Sequence, residues 1–410
     1  MVPSLQWHKI APGQYQRPFD TSERLYRGAG ASGAHLGTQH FLVGSAIQLK
    51  DALSISDVHR AWIALRHKRP HIAAVADGSG SKSAETVEPD LKPADLFMLH
   101  CLPRSRQLLF RAPHWRTDGR GMILLQDEFS RCSPRAQSQG TLTGLSYEVT
   151  PEMARASDAV LSVLVSGSTP LSVKESLASG TPKKSRRAAI SLPPDLSAAI
   201  IAASKARAQT VTTTVHAALV TALRHHADTA GRRLICFNPF DVRDRLPAPW
   251  NTSAGCASLY HTGKPCSIDL AQLPNFDAVA AHLSAFYHED LQPLFGHMVD
   301  YHRKIGEALA MPLEAALQMP GAARPELSSL GVIDSFLRSS YRGPAGTFEI
   351  EDWFLGVQII TRLLQMYLWT RDGSMQLACH YNEGFYESKI ITCFLEEWKQ
   401  VLITELVGGT

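Results

Sequence analysis

Residues 107–129 run Gln107-Leu108-Leu109-Phe110-Arg111-Ala112-Pro113, then His114-Trp115-Arg116-Thr117-Asp118-Gly119, then on through Met122-Ile123-Leu124-Leu125 to Phe129. The first stretch reads as a strand, stopped by Pro113. From Gly119 onward the apolar residues recur at helical spacing. His114 therefore sits at a strand-to-helix transition, on backbone that a fold can hold rigidly. A neutral imidazole there can take a proton from an alcohol or an amine. Gly119 lets the chain turn tightly beside the His. The bland reading of the same letters is an interior histidine followed by a helix cap.

Strand and helix signals alternate on both sides of this segment. Ser56 begins a helix through Leu65 that ends at Lys68-Arg69-Pro70, and His71–Val75 reads as a buried strand. Gly78 to Pro93 reads as a loop. Further on, Pro193–Lys205 is a helix, and Thr212-Thr213-Thr214 caps another that ends at His225 and His226. No carboxylate or thiol lies at ligand spacing from those two histidines, and His216 reads as a packing residue. Leu234–Arg243 reads as a central strand, broken at Asp244-Arg245-Leu246-Pro247. Residues 278–312 read as helices, and Ser328–Asp334 as a strand and turn. Phe348–Asp352, Gln365–Trp369 and Gln376–Tyr381 read as strands, and Glu387–Leu406 as an amphipathic helix. Residues 166–190, with Lys183-Lys184-Ser185-Arg186-Arg187, read as a solvated connector. The expected organisation is α/β, with an N-terminal half over 1–165, the connector over 166–190 and a C-terminal half over 191–410.

With 410 residues and 44% hydrophobic content, the chain can bury two cores. A formal charge of +3 is too mild for nucleic-acid binding and suits a small anionic ligand. Seven scattered Cys, with no C-x-x-C, suggest neither disulfides nor a metal site. No apolar run is long enough to span a membrane, and the first residues do not read as a signal peptide, so a cytoplasmic, monomeric protein is expected. The sequon Asn251-Thr252-Ser253 carries no weight in that setting.

Taken in order, His114-x-x-x-Asp118-Gly119, Phe240-Asp241-Val242-Arg243-Asp244-Arg245-Leu246-Pro247, Ser328-Ser329-Leu330-Gly331, Asp352-Trp353-Phe354-Leu355-Gly356 and Tyr381-Asn382-Glu383-Gly384-Phe385-Tyr386 resemble the condensation-domain and BAHD acyltransferase superfamily. Within it the chain is most similar to fungal O-acetyltransferases of trichothecene-type secondary metabolism. The resemblance spans nearly the whole chain. It implies two chloramphenicol-acetyltransferase-like α/β sandwich halves with a tunnel between them, reached by His114 from the middle. Pro113 stands where peptide-forming condensation domains carry a second His, which favours a stand-alone transferase. Asp352–Gly356 matches the plant-type loop only loosely.

The resemblance implies acyl transfer, most simply acetyl, from acyl-CoA as co-substrate to a hydroxyl of a small-molecule acceptor. No resident cofactor or metal is expected. His114 is the implied general base. Asp118, Gly119 and Arg243 support the site, with an Asp118–Arg243 ion pair across the halves. Ser258, Trp369 and Tyr381 are the candidates for the tunnel wall and the oxyanion donors. A rival reading is a condensation-fold cyclase or isomerase that no longer transfers an acyl group.

Overall fold

The computed structural model describes residues 8–11, 14–51, 54–69, 72, 95–131, 150–164, 170–174, 180–228, 231–309, 311–319, 321–343 and 346–408. A short hairpin, β1 (His8–Ala11) and β2 (Gln14–Gln16), leads into α1 (Thr21–Ala31), β3 (Leu42–Leu49) and α2 (Ile55–Lys68). Next come β4 (Met98–Leu102), β5 (Gln107–Pro113), α3 (Gly119–Arg131) and α4 (Pro151–Ser162). The chain continues through β6 (Ser185–Leu192), α5 (Pro194–Ala206), α6 (Val211–His226), β7 (Arg233–Asp241) and β8 (His261–Asp269). Helices α7 (Phe276–His288), α8 (Gln292–Leu309) and α9 (Leu313–Gln318) follow. The last elements are β9 (Pro325–Val332), β10 (Ser340–Gly343), β11 (Gly346–Val357), β12 (Leu364–Arg371), β13 (Ser374–Asn382) and α10 (Ser388–Leu402).

Two sheets carry the architecture. One has the order β10-β11-β3-β5-β4 and is antiparallel throughout. The other has the order β6-β13-β12-β9, with β9 parallel to β12. Successive side chains of a strand point to opposite faces, and β12 uses both. Leu364, Met366 and Leu368 enter a core shared with α6 and α10, while Tyr367 and Trp369 enter a second core shared with β3, β5 and β11. β12 is thus the wall between the two cores. The same alternation turns Leu377, Cys379 and Tyr381 of β13 into the first core and Ala378 into the second.

At the N-terminus, α1 is fixed by a capping box. Asp20 Oδ1 accepts from Glu23 N (2.8 Å), and Glu23 Oε2 accepts from Asp20 N (2.9 Å). Arg17 grips both oxygens of Glu23, at 2.7 and 2.6 Å. This helix packs on α8, as does α4.

The fold is α/β, but the sheets do not divide at residues 166–190. β10 and β11, from the last quarter of the chain, complete the sheet of β3, β5 and β4, with Trp353 opposite Ile47. Within the expected connector, Ser185–Leu192 is strand β6, paired with β13 from Ser185–Asn382 to Leu192–Met375. The basic run misled because edge strands tolerate charge; Arg186 bonds Glu383, the residue just after β13 (2.5 Å). β7 is not central: it pairs with β8 as a two-stranded hairpin. The expected strand at His71–Val75 and the loop at 78–93 lie outside the described residues, apart from Ile72. The cap of α6 is Thr210, two residues before the expected Thr212.

One buried amide closes the C-terminal sheet. Asn382 Oδ1 accepts from the N–H groups of Lys183 (2.7 Å) and Gly384 (2.9 Å). Its Nδ2 donates to the carbonyls of Lys183 (2.7 Å) and Ile359 (2.9 Å). All four side-chain bonding positions are filled, and the residue is fully buried. Asn382→Ala would leave those backbone groups unpaired, at about 1–3 kcal/mol for each one that water does not reach. A loss of about 3 kcal/mol or more is expected in urea unfolding; a loss under about 1 kcal/mol would show that the amide is not the clasp described.

Candidate active site

The end of β5 and the start of α3 place the His-x-x-x-Asp segment at a seam where they meet β7 and β9. His114 follows Pro113, the last residue of β5, which pairs with Leu42. Asp118 caps α3: its backbone carbonyl accepts from Met122 N (2.9 Å) and its Oδ1 from Gly121 N (2.7 Å). A cavity of about 160 Å³ opens beside His114. One side is formed by Tyr26, Phe41, His114 and Asp118, and the other by Phe237, Glu326, Ser328, Gln365 and Tyr367.

The His114 ring is held by aromatic contacts. Tyr26 stacks on it with ring centroids 4.1 Å apart and planes 9° apart. Phe41 meets it edge-on at 6.1 Å, and the His261 ring lies 5.2 Å away. Nδ1 of His114 is buried and has no hydrogen-bond partner among the described residues. Burial, reinforced by the His261 ring, lowers its pKa to about 3; its own carbonyl and Asp118 pull the other way and are outweighed. The ring is therefore neutral at ordinary pH.

Asp118 is fully engaged. Arg243 Nη1 lies 3.0 Å from Oδ1, and the side chains are only 6% and 4% exposed. Tyr260 N donates to Oδ2 (2.7 Å), and His261 Nδ1 stands 3.7 Å from the same oxygen. Burial alone would raise the carboxyl, but Arg243, His261 and the Gly121 N–H overcome it and hold the group well below the usual carboxylate range. Arg243 also bonds Asp241 Oδ1 (3.0 Å). Burial works against its charge too, and the two carboxylates raise its pKa despite that. The Asp-Val-Arg stretch thus brings Asp241 and Arg243 to the His-bearing turn.

The other sequence-selected residues fall elsewhere. Gly119 borders the cavity without a positive φ; a Cβ there would stand 3.3 Å from Leu330 Cδ2. Gly121 is the stricter glycine, since a Cβ would come within 2.5 Å of both Cys256 O and Thr117 Oγ1. Ser258, Trp369 and Tyr381 do not line the cavity. Ser258 offers its carbonyl to Arg243 Nη2 (3.4 Å). Trp369 packs edge-on against Trp353 at 5.7 Å. Tyr381 faces the C-terminal core, by the alternation along β13, and donates to Ser388 (2.7 Å). In their place the seam face of β12 presents Gln365 and Tyr367 to the cavity. Gln365 Nε2 is committed to the Glu326 carbonyl (3.0 Å), whereas the Tyr367 hydroxyl has no partner among the described residues. Burial raises the Tyr367 pKa, so it stays a donor.

Sequence reasoning missed Tyr26, Phe41, His261, Glu326 and Tyr367. Asp20-Thr21-Ser22-Glu23 is a capping-box signal that marks the helix carrying Tyr26. Nothing local singles out the others. His225 and His226 do have a carboxylate partner: both bond Glu397 of α10, which sequence spacing cannot reveal. His216 is buried and bonds the Tyr287 hydroxyl (2.9 Å). Among the described residues, no His, Cys, Asp and Glu cluster fits a metal, and no helix is long and apolar enough to cross a membrane.

No family profile matches the chain. It is 26% identical to acetyltransferase pigO of Monascus ruber over 98% of both chains. Its fold is that of the TRI3 trichothecene 15-O-acetyltransferase of Fusarium sporotrichioides, with a TM-score of 0.75 at 16% identity over 98% of each chain. It also matches the first condensation domain of the calcium-dependent antibiotic synthetase, with a TM-score of 0.63 at 14% identity over 95% of this chain and 96% of that one. The chain thus shares the condensation-type fold of these proteins and is similar over nearly its whole length to an acetyltransferase, with His114, Asp118 and Arg243 gathered at one seam of that fold.

Proposed function

We propose that the protein is an acyl-CoA-dependent O-acyltransferase that moves an acetyl group to a hydroxyl of a small secondary metabolite, with His114 as general base. The observation that carries this reading is the buried His114 ring bordering the cavity, beside an Asp118 too heavily bonded to compete for the same proton. The imidazole takes the hydroxyl proton as the oxygen attacks the thioester carbonyl. The tetrahedral oxyanion collapses, and the CoA thiolate leaves with the proton returned by the imidazolium. Donor and acceptor reach the ring from opposite faces of the seam. The Tyr367 hydroxyl is the oxyanion donor in this reading, replacing Ser258, Trp369 and Tyr381. The cyclase or isomerase alternative predicts turnover without thiol release.

With acetyl-CoA and hydroxylated metabolites of the producing cluster, free thiol and an acetylated product are expected. His114→Ala should lower the rate on the order of 100- to 10,000-fold with the melting temperature preserved. Near-native turnover in that variant would sink the mechanism. The base form exists above the His114 pKa of about 3, so the rate should not fall as pH drops from 8 to about 5.5. A limb near 6.5, the ordinary histidine value, would contradict the neutral buried ring.

Tyr367→Phe removes one hydroxyl from the cavity and should lower kcat about 100-fold with the fold unchanged. An unchanged kcat would remove Tyr367 from the reaction.

Arg243→Ala leaves the Asp118 charge buried and partly unpaired, so a loss of about 3–5 kcal/mol of stability is expected together with activity. If activity fell with no change in unfolding free energy, the pair would not be a structural tie.

A further inference from the structure

Asp118 stands four residues from His114 yet makes no hydrogen bond to it. Arg243 and Gly121 N occupy Oδ1, and Tyr260 N occupies Oδ2. The flat face against the His114 ring belongs to Tyr26. A stacked ring alone slides easily. Tyr26 does not, because its hydroxyl bonds His261 Nε2 at 2.7 Å. His261 in turn directs Nδ1 toward Asp118 Oδ2, at 3.7 Å, with no closer partner among the described residues. In the tautomer that carries its proton on Nδ1, facing the carboxylate, His261 Nε2 accepts from the Tyr26 O–H. The chain of contacts runs from Asp118 through His261 and Tyr26 to His114, and all four residues border the cavity. Tyr26 rides on α1, whose start is clamped by Asp20, Glu23 and Arg17. The stack is therefore fixed at the hydroxyl and at the backbone.

We propose that Tyr26 and His261 form a positioning unit, anchored on Asp118, that fixes the plane of the His114 ring. Its kinetic consequences rest on the acyltransferase reading; the geometry of the ring does not. Misplacing a reacting group by about 1 Å costs about 100-fold in rate. Tyr26→Ala, which removes the stack, should lower kcat about 100-fold while KM for acetyl-CoA stays within about threefold. Tyr26→Phe keeps the ring and cuts only its tether, so it should recover most of that loss. His261→Gln should match Tyr26→Phe, and the double variant should be no worse than either single one within about twofold, because both cut the same tether.

A second measurement needs no turnover: carbethoxylation of His114 by diethyl pyrocarbonate, followed by peptide mass spectrometry. Tyr26→Ala should speed it several-fold, with the melting temperature held within a few degrees. Additive losses in the double variant, or a loss carried by KM alone, would overturn the proposal. So would an unchanged modification rate in Tyr26→Ala. If the wild type transfers no acetyl group while the modification rate still responds, the acyltransferase reading fails and the positioning unit stands.

Discussion

The Asp118 carboxylate is the tie on which the site depends. It caps α3, receives the Tyr260 N–H from the segment before β8, and pairs with Arg243 after β7. Three parts of the chain, far apart in sequence, therefore meet on two oxygen atoms. The pair is nearly water-free, where such attraction is strong but the cost of removing both charges from water is comparable. What tips the balance is the number of hydrogen bonds: two backbone N–H groups and a guanidinium share the charge. The tie sits at the seam, so it sets the register between the β5–α3 turn and the β7–β8 hairpin. Gly121 shows how tight the fit is, since even a methyl group there would collide with the Cys256 carbonyl and approach Arg243.

The motif was legible from sequence because it is a local pattern, whereas its Arg partner was legible only through the family resemblance. A strand, a Pro stop and a helical apolar spacing bracket His114, and Arg243 lies in the polar turn that follows β7. The α/β class was legible for the same reason. The sheet order was not. β11 reads as a strand, but nothing in Phe348–Asp352 says that it will pair with β3 rather than with its sequence neighbours. The oxyanion candidates failed on a finer point. Tyr381 is a plausible polar aromatic, yet one residue of strand register decides whether a side chain meets the seam or the core, and the sequence alone leaves that register open. Tyr26 lay in a stretch with no catalytic-looking pattern; its role comes from where α1 docks, which is a tertiary fact.

The charge state of His114 poses a chemical question that the surroundings answer. A ring lowered to about 3 is a weak base, and in the proposed mechanism it must carry a proton during the reaction. In that mechanism the same burial that lowers it also removes water from the alcohol. In a dry site the transition state exchanges charge between the imidazole and a nearby oxyanion, so net charge need not build up. The imidazolium is then stabilised by the developing anion and by Asp118, whose charge is already present and fixed. A carboxylate bonded directly to His114 would raise its basicity, but at the seam that oxygen is spent on holding the fold together. The fold thus separates two jobs that many active sites combine. In the proposed mechanism charge balance comes from Asp118 at a distance, and orientation comes from the aromatic face of Tyr26, which adds no charge of its own.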